Sequence, residues 1–294
     1  MLNEIFQTLK QTVQEFMKDG AAREAAALAY YIAFAMAPLL VVVIGVVGAI
    51  YGPEAVQGEI VQEIQGTVGE DAAVVVQDVI KNAYNAEGST LSTIFSAFML
   101  LMSASAVFLK LQTTLNNIWN VEPATGGGIG GIIRGRLLSL GMLLIIGMLL
   151  LVSLVLSAVL AALDNLFVSI LPATEAFISI IGFGINFGVT TLLFAMLYKF
   201  LPDAEIRWRE VIIGAAMTAL LFAVGRTVLG IYLANSSTSS TYGAAGSFVV
   251  ILLWIYYASQ IILLGAEFTQ VYARRYGQRI QSAATVEEEV SVPV

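Results

Sequence analysis

One arginine, Arg226, lies inside a long apolar stretch of the sequence, where an ionised side chain is costly and needs a partner. At about 1.5 Å per helical residue, it lies about 10 Å below the outer end of the fifth apolar stretch. The carboxyl groups of Asp164 and Glu175 are candidate counterions, because they lie at the outer ends of neighbouring stretches. An arginine in this position either snorkels to the outer interface or serves as an anion, headgroup or gating site.

One carboxyl group, that of Glu267, lies near the inner end of the sixth apolar stretch. A carboxyl group within a membrane can couple a protein to the movement of protons or cations. It can also form a structural ion pair, for which Lys110, Arg207 and Arg209 are candidates. Gln260 lies seven residues before Glu267 and shares its helix face, so both are expected to line the inner half of one path.

Further polar side chains recur along the apolar stretches at intervals of seven, which returns a helix to nearly the same face. Lipid does not solvate them, so they are expected to point into a helix bundle. They indicate either interhelical packing, as the spacing of Gly184 and Gly188 also does, or a hydrated pathway. The candidate pathway or gate residues are Arg226, Glu267, Gln260, Asn186, Tyr30, Tyr256, Ser96, Ser103, Lys110, Asp164 and Pro38, of which the proline is expected to kink the first stretch.

The sequence contains no histidine and no cysteine, which excludes disulfides, thiolate or imidazole catalysis and metal sites built on those ligands. Gly126, Gly128 and Gly131 match the pattern G-x-G-x-x-G, but they lie between two apolar stretches rather than in a βαβ unit. No Walker A motif is present. We therefore expect no enzyme, no cofactor and no ATP site on this chain, and the net charge of −7 does not favour nucleic-acid binding.

The elements that must position these residues are long apolar helices. Of the 294 residues 58% are hydrophobic and only 12% are charged, whereas a soluble domain has roughly 25% charged residues. Lipid leaves no partner for an open sheet edge, so helices are the expected spanning structure. The fold class is therefore all-α, a polytopic membrane protein with six spans at about 25–50, 90–113, 137–163, 177–201, 209–233 and 244–270.

The basic residues predict the orientation of these six spans. If the N-terminus is cytoplasmic, all 14 Lys and Arg residues except Lys81 and Arg226 fall in cytoplasmic segments. Such a bias follows the positive-inside rule and places both termini in the cytoplasm.

Three segments outside the spans have their own signatures. Residues 1–22 are expected to form an amphipathic helix on the cytoplasmic membrane surface, because apolar residues recur at helical spacing between charged ones. The acidic outer loop at 51–89 is expected to form two short amphipathic helices. Residues 276–294 are expected to form a disordered tail, and 23–275 the membrane domain.

The sequence resembles the YihY/BrkB family of multi-pass bacterial inner-membrane proteins. The similar segments lie in order at 25–31 (AAALAYY), 38–40 (PLL), 115–120 (LNNIWN), 198–202 (YKFLP), 242–247 (YGAAGS), 254–257 (WIYY) and 265–268 (GAEF). The resemblance implies six spans and a plasma-membrane location. Some members carry virulence, serum-resistance or ribonuclease labels, but a ribonuclease would need catalytic or metal-binding groups and a basic domain that this sequence lacks.

The sequence leaves two functional hypotheses open. The first is a transporter or flippase-like protein for an ion, a small solute or a lipid, in which Arg226 binds an anionic group or sets a gate. The second is a non-transporting envelope scaffold or lipid-organising protein, which predicts a dry and tightly packed core. In both, membrane lipids are the expected partners, whereas the sequence does not define the substrate or the oligomeric state.

Overall fold

The protein is described from a computed structural model. It covers residues 2–52, 57–58, 60–62, 64–65, 70–85, 90–122, 175–235, 246–277 and 280–282. The helices are α1 (Leu2–Lys18), α2 (Ala21–Tyr51), α3 (Glu70–Asn85), α4 (Thr90–Trp119), α5 (Glu175–Phe200), α6 (Trp208–Asn235) and α7 (Gly246–Tyr276), and the two short strands are β1 (Ala204–Glu205) and β2 (Gln281–Ser282).

The protein is mostly helical, as the sequence predicts. Five of the six predicted spans coincide with α2, α4, α5, α6 and α7, and the span predicted at 137–163 lies outside the described residues. Within the described part, three segments are long and apolar enough to cross a membrane: Ile180–Phe200, Trp208–Ile231 and Phe248–Tyr276. The count of six spans and the cytoplasmic position of the termini stay predictions.

Helix ends follow local chemistry. α1 and α2 are separated at Gly20, whose φ of 66° lies in the left-handed region that glycine adopts without steric cost. α4 ends in a left-handed residue as well, Asn120 with φ 54°, and the Val121 amide donates to the Asn116 carbonyl at 2.9 Å. That six-residue ring is a Schellman motif, which satisfies a carbonyl left over at the helix end.

Two segments outside the predicted spans contain regular secondary structure. β1 and β2 pair antiparallel, with Ala204 opposite Ser282 and Glu205 opposite Gln281, so the segment expected to be a disordered tail contains a two-residue strand. The outer loop contains α3, whose buried residues Ala73, Val76 and Ile80 recur at intervals of three and four. The described residues from 57 to 65, where the other loop helix is expected, are also helical.

The chain divides into two compact units. The first consists of 1–15, 112–223 and 264–294, and the second of 16–111 and 224–263. The second unit has a hydrophobic core in which residues of α2, α3 and α7 meet, namely Leu40, Val76, Ile80, Val250 and Ile251. The first unit contains the polar interior described next.

Candidate functional site: a buried polar cluster

The carboxyl group of Glu267 lies in the interior of the first unit. Its side chain is 0% exposed and belongs to α7, within the candidate span Phe248–Tyr276. Its neighbours along the helix, Ala266, Thr269 and Gln270, are also buried. An ionisable side chain at this position is costly in a membrane and therefore marks a candidate functional site.

The C-terminal end of α4 is tied to the same stretch of α7 by two hydrogen bonds. The Trp119 indole Nε1 donates to the Ala266 carbonyl at 3.0 Å, and the Gln270 Nε2 donates to the Ile118 carbonyl at 2.5 Å. The Trp119 ring also makes an edge contact with the ring of Tyr198, with 6.2 Å between centroids. The final turn of α4 is thus held against α5 and α7, and its two bonds to α7 lie within one helical turn of Glu267.

α6 and α7 contact each other through a reciprocal pair of glycines and threonines. The Thr218 hydroxyl donates to the Gly214 carbonyl of its own helix at 2.8 Å, and the Thr269 hydroxyl donates to the Gly265 carbonyl at 2.7 Å. Each threonine lies against the glycine of the opposite helix, where a Cβ atom would overlap its hydroxyl oxygen. The Tyr198 hydroxyl completes the contact, at 3.0 Å from the Thr218 Oγ1. Such small-residue contacts let helix backbones approach closely in a membrane.

The connection between α5 and α6 is fastened to α4 by a carboxyl–amide clasp. The Asn116 Nδ2 donates to the Asp203 Oδ2 at 2.9 Å, and the Asp203 amide donates to the Asn116 Oδ1 at 2.9 Å. The Gln112 Nε2 adds a longer bond to the same carboxylate at 3.3 Å. Lys199, near the end of α5, stabilises the connection from within, because its Nζ donates to the Ile206 carbonyl at 2.7 Å.

A second buried carboxyl group, that of Glu210, lies in the first turn of α6 and is only 4% exposed. The partial positive charge of a helix N-terminus favours a carboxylate there. Its Oε1 lies against Gly277, just beyond the end of α7, where a Cβ atom would approach it to 2.5 Å.

Burial changes sharply along each of the three candidate spans. α5 is buried at Ala195, Leu197 and Tyr198, whereas every residue from 180 to 194 is at least partly exposed. α7 contains most of its buried residues from 263 onward, whereas all residues from 252 to 258 are partly exposed. α6 has six buried residues between 210 and 219 but only one, Gly225, between 220 and 231.

Arg226 belongs to the exposed part of α6. Its helical phase matches that of Ala215 and Ala219, which are 0% and 1% exposed, so it lies on the interior side of the helix. The opposite side carries Val224 and Val228, at 56% and 61% exposure, as a lipid-facing side would. Arg226 is nevertheless exposed. The described residues therefore do not cover the interior side of α6 where this arginine lies.

The other candidates of α7 and α5 are more exposed than Glu267. Tyr256 and Gln260 are partly exposed, so Gln260 does not share the complete burial of Glu267. The ring of the neighbouring Tyr257 ends with its hydroxyl against Gly225. Asn186 is exposed on α5.

Some of the remaining candidates have partners among the described residues, and the side chains of the others are not described. Tyr30 is 59% exposed, with its ring 4.7 Å from that of Phe34, and the Ser103 hydroxyl donates to the Met99 carbonyl of its own helix at 2.8 Å. Lys110 forms an ion pair with Glu24 at 2.5 Å. Pro38 and Ser96 lie in α2 and α4 with side chains outside the description, and Asp164 lies wholly outside the described residues.

Of the predicted residues whose side chains the structure describes, only Glu267 lies in the buried cluster. Sequence reasoning missed Tyr198, Thr218, Thr269 and the Asn116–Asp203 clasp. A usable signal was present, because α6 and α7 each carry the spacing Gly-x-x-x-Thr, at 214–218 and 265–269. In the described part of the chain no group of three or more potential metal-binding side chains occurs.

Comparisons with known proteins give a consistent result. A family model described as Virulence factor BrkB matches residues 12–289. A UPF0761 membrane protein of Teredinibacter turnerae is 30% identical over 283 residues, which are 94% of this chain and 63% of that protein. A UPF0761 membrane protein of Verminephrobacter eiseniae is 32% identical over 277 residues, which are 90% of this chain and 62% of that protein. The chain therefore spans about three fifths of the length of these relatives, and no solved structure matches it.

Proposed function

Because the chain belongs to the Virulence factor BrkB family of membrane proteins, we propose that it is a transporter or flippase-like protein of the bacterial inner membrane. It moves an ion, a small solute or a lipid headgroup without an ATP site of its own. In this proposal the chain has six spans with both termini in the cytoplasm, and it catalyses no chemical reaction.

The exposure of Arg226 carries the proposal. The interior side of α6 is closed at Ala215 and Ala219 and open at Arg226, about five residues before the candidate span ends at Ile231. A guanidinium group on that side needs water or an anionic group, because apolar surroundings would make its charge costly. The positive charge and the open surroundings together suit an entry site for an anion or a phosphate-bearing headgroup.

The burial of Glu267, in the part of α7 that is buried, also supports the proposal. A purely structural core would be at least as stable with an apolar side chain of similar size, because burying a carboxylate carries a desolvation cost. A completely buried carboxyl group on this stretch of α7 is suited to take up a proton or a cation when the helix ends separate. We therefore assign Arg226 to substrate entry and Glu267 to coupling.

The contrast between open and closed halves fits one state of an alternating-access cycle. α5 and α6 are each buried at the end that the positive-inside rule places in the cytoplasm and exposed toward the other end, whereas α7 is partly exposed from 252 to 258 and buried again at Val250 and Ile251. A transporter open to the outside and closed to the inside has this distribution of burial.

A second candidate, a non-transporting scaffold that organises lipids, is favoured by the close contact of α6 and α7. Gly214 and Gly265 leave no room for a Cβ atom, so the helices cannot approach further, and separating them would break an extensive contact. A scaffold would keep this contact permanently.

The two candidate functions predict different transport rates for the protein reconstituted in proteoliposomes. We expect the reconstituted protein to dissipate an imposed anion or proton gradient, or to exchange fluorescent phospholipids between leaflets. Arg226→Ala should reduce that rate at least about tenfold, which corresponds to about 1.4 kcal/mol in the free energy of activation. Glu267→Gln keeps the size of the side chain and replaces the carboxyl group by an amide that cannot ionise, so we expect it to abolish coupling to protons while the protein still folds.

Glu205→Gln is the matched control, because Glu205 is an exposed carboxylate of β1 in the same unit. It should leave every rate unchanged. Wild-type rates equal to those of empty vesicles would favour the scaffold, and full activity in both Arg226→Ala and Glu267→Gln would remove these residues from the mechanism.

A further inference from the structure

α1 has three distinct sides. Thr8 and Thr12 are buried, and Glu15 is partly buried beside them, so this side contacts the rest of the protein. A second side carries large apolar residues that are nevertheless exposed, namely Phe6 at 63%, Leu9 at 36%, Val13 at 49% and Met17 at 75%. A third side is polar and exposed, with Asn3, Gln7, Lys10, Gln14 and Lys18.

This arrangement inverts the usual amphipathic helix, which buries its apolar side against the protein. Here threonines face inward, and their hydroxyls donate to carbonyls of their own helix, from Thr8 to Glu4 and from Thr12 to Thr8, each at 2.9 Å. The exposed apolar residues recur at intervals of three and four along one stripe, a pattern that water does not favour.

Two arginines at the end of α7 fix the position of α1. The Arg275 Nη1 donates to the Thr8 Oγ1 at 3.1 Å and to the Glu4 carbonyl at 3.4 Å. The Arg274 Nη1 lies 3.6 Å from the Glu15 Oε1. Both arginines belong to the last turn of α7, so α1 is attached where the candidate span Phe248–Tyr276 ends.

The length and the aromatic residues of α7 indicate that this end of the helix lies at the membrane surface. The span of 29 residues is about 43 Å long at about 1.5 Å per residue, which matches a bilayer of roughly 40–45 Å including its headgroups. Phe268, Tyr272 and Tyr276 form a ladder of rings along the last turns, with centroids 6.1 and 5.2 Å apart. Tyrosines concentrate at membrane–water interfaces, where their hydroxyls reach water and their rings reach the acyl chains.

We propose that the apolar stripe of α1 is inserted into the bilayer surface at the end of α7, with Phe6, Leu9, Val13 and Met17 at the boundary between headgroups and acyl chains. A helix lying there beside a bundle needs one side for protein, one for lipid and one for water, which are the three sides that α1 has. Lys10 borders the apolar stripe, where its ammonium group can reach the lipid phosphates. The partner is the lipid surface itself.

The absence of cysteine makes a direct test possible, because single cysteines can be introduced without removing any native one. Val13→Cys and Met17→Cys place an environment-sensitive fluorophore on the apolar stripe. Gln7→Cys and Gln14→Cys are matched controls on the polar side of the same helix, and all four native side chains are exposed. The labelled full chain is reconstituted in vesicles of phosphatidylethanolamine and phosphatidylglycerol.

We expect lipids that carry a quencher near the head of the acyl chain to quench the labels at positions 13 and 17 several-fold more than those at 7 and 14. Aqueous iodide should show the opposite order. Equal access of iodide to all four labels would overturn the proposal, because the stripe would then face water. Protection of positions 13 and 17 from both quenchers would overturn it as well, because protein would then cover the stripe.

Discussion

At the scale of single residues, the polar side chains of the first unit acquire partners that lie far away in the sequence. Asn116 bonds Asp203, which lies 87 positions away, and Gln270 bonds a carbonyl 152 positions away. Buried polar groups without such partners would each cost about 1–3 kcal/mol, so these bonds allow a polar interior within an apolar protein.

The Asp203 clasp gives a prediction at this scale. Asp203→Ala removes the acceptor that holds the Asn116 and Gln112 amides, so we expect it to lower the free energy of unfolding by about 1–3 kcal/mol. Asn116→Ala should cost a similar amount. Because both variants break the same contact, the double variant should cost clearly less than the sum of the two.

Denaturant titration of the purified protein in detergent would measure these costs. Asp78→Ala, at an exposed site on α3, should change stability by no more than about 0.5 kcal/mol. Additive effects of the Asn116 and Asp203 substitutions would show that the clasp contributes nothing.

At the scale of elements, the antiparallel contact of α6 and α7 depends on two positions without a side chain. At Gly214 and Gly265 the opposing atoms belong to threonines, which are short and stiff at χ1, so they cannot swing aside. At Gly225 the opposing atom is the far end of Tyr257, a longer side chain that can move. The closeness of the two helices is therefore set at the Gly/Thr pairs.

We predict that Gly214→Ala destabilises the protein by about 1–3 kcal/mol, because the added methyl group forces the helices apart. Thr269→Ala in the same chain removes the opposing hydroxyl and methyl groups and should restore part of the loss. Gly225→Ala should cost less than Gly214→Ala. Thermal unfolding in detergent micelles would rank the three variants.

Gly188→Ala is the matched control within a candidate span. No atom among the described residues lies within 4 Å of the Cβ position of Gly188. In the absence of a clash, alanine is the better helix former by about 0.5–1 kcal/mol, so this variant should be as stable as the wild type or slightly more stable. If Gly214→Ala and Gly188→Ala were equally stable, the close approach of α6 and α7 would be refuted.

At the scale of the whole molecule, orientation and opening can be tested together by labelling single cysteines in the cysteine-free chain. A membrane-impermeant maleimide applied to intact cells should modify Arg226→Cys, because that position is exposed and is predicted to face outward. Arg207→Cys, also at an exposed position but predicted to be cytoplasmic, should react only after the cells are permeabilised.

Ala219→Cys should resist the reagent under both conditions, because this residue of α6 shares the helical phase of Arg226 but is only 1% exposed. Modification of Arg207→Cys in intact cells would contradict the predicted orientation. Resistance of Arg226→Cys in permeabilised cells would contradict the open half of α6, and with it the entry site that we propose.

The sequence by itself determined the helical class, the positions of five long helices and the membrane character. These follow from local chemistry, since lipid requires each spanning segment to satisfy its own backbone hydrogen bonds and to present apolar side chains. It also singled out Arg226 and Glu267, because charges are conspicuous among apolar residues.

Only the tertiary structure decided what surrounds each polar residue. The spacing of seven places Ser103 and Lys110 on one helix face, but their partners, Met99 and Glu24, depend on the local backbone and on a neighbouring helix. The same applies to Arg226 and Glu267, of which one is exposed and the other completely enclosed. Helical periodicity defines a direction around one axis, whereas burial depends on which other helices pack there and how closely their smallest residues let them approach.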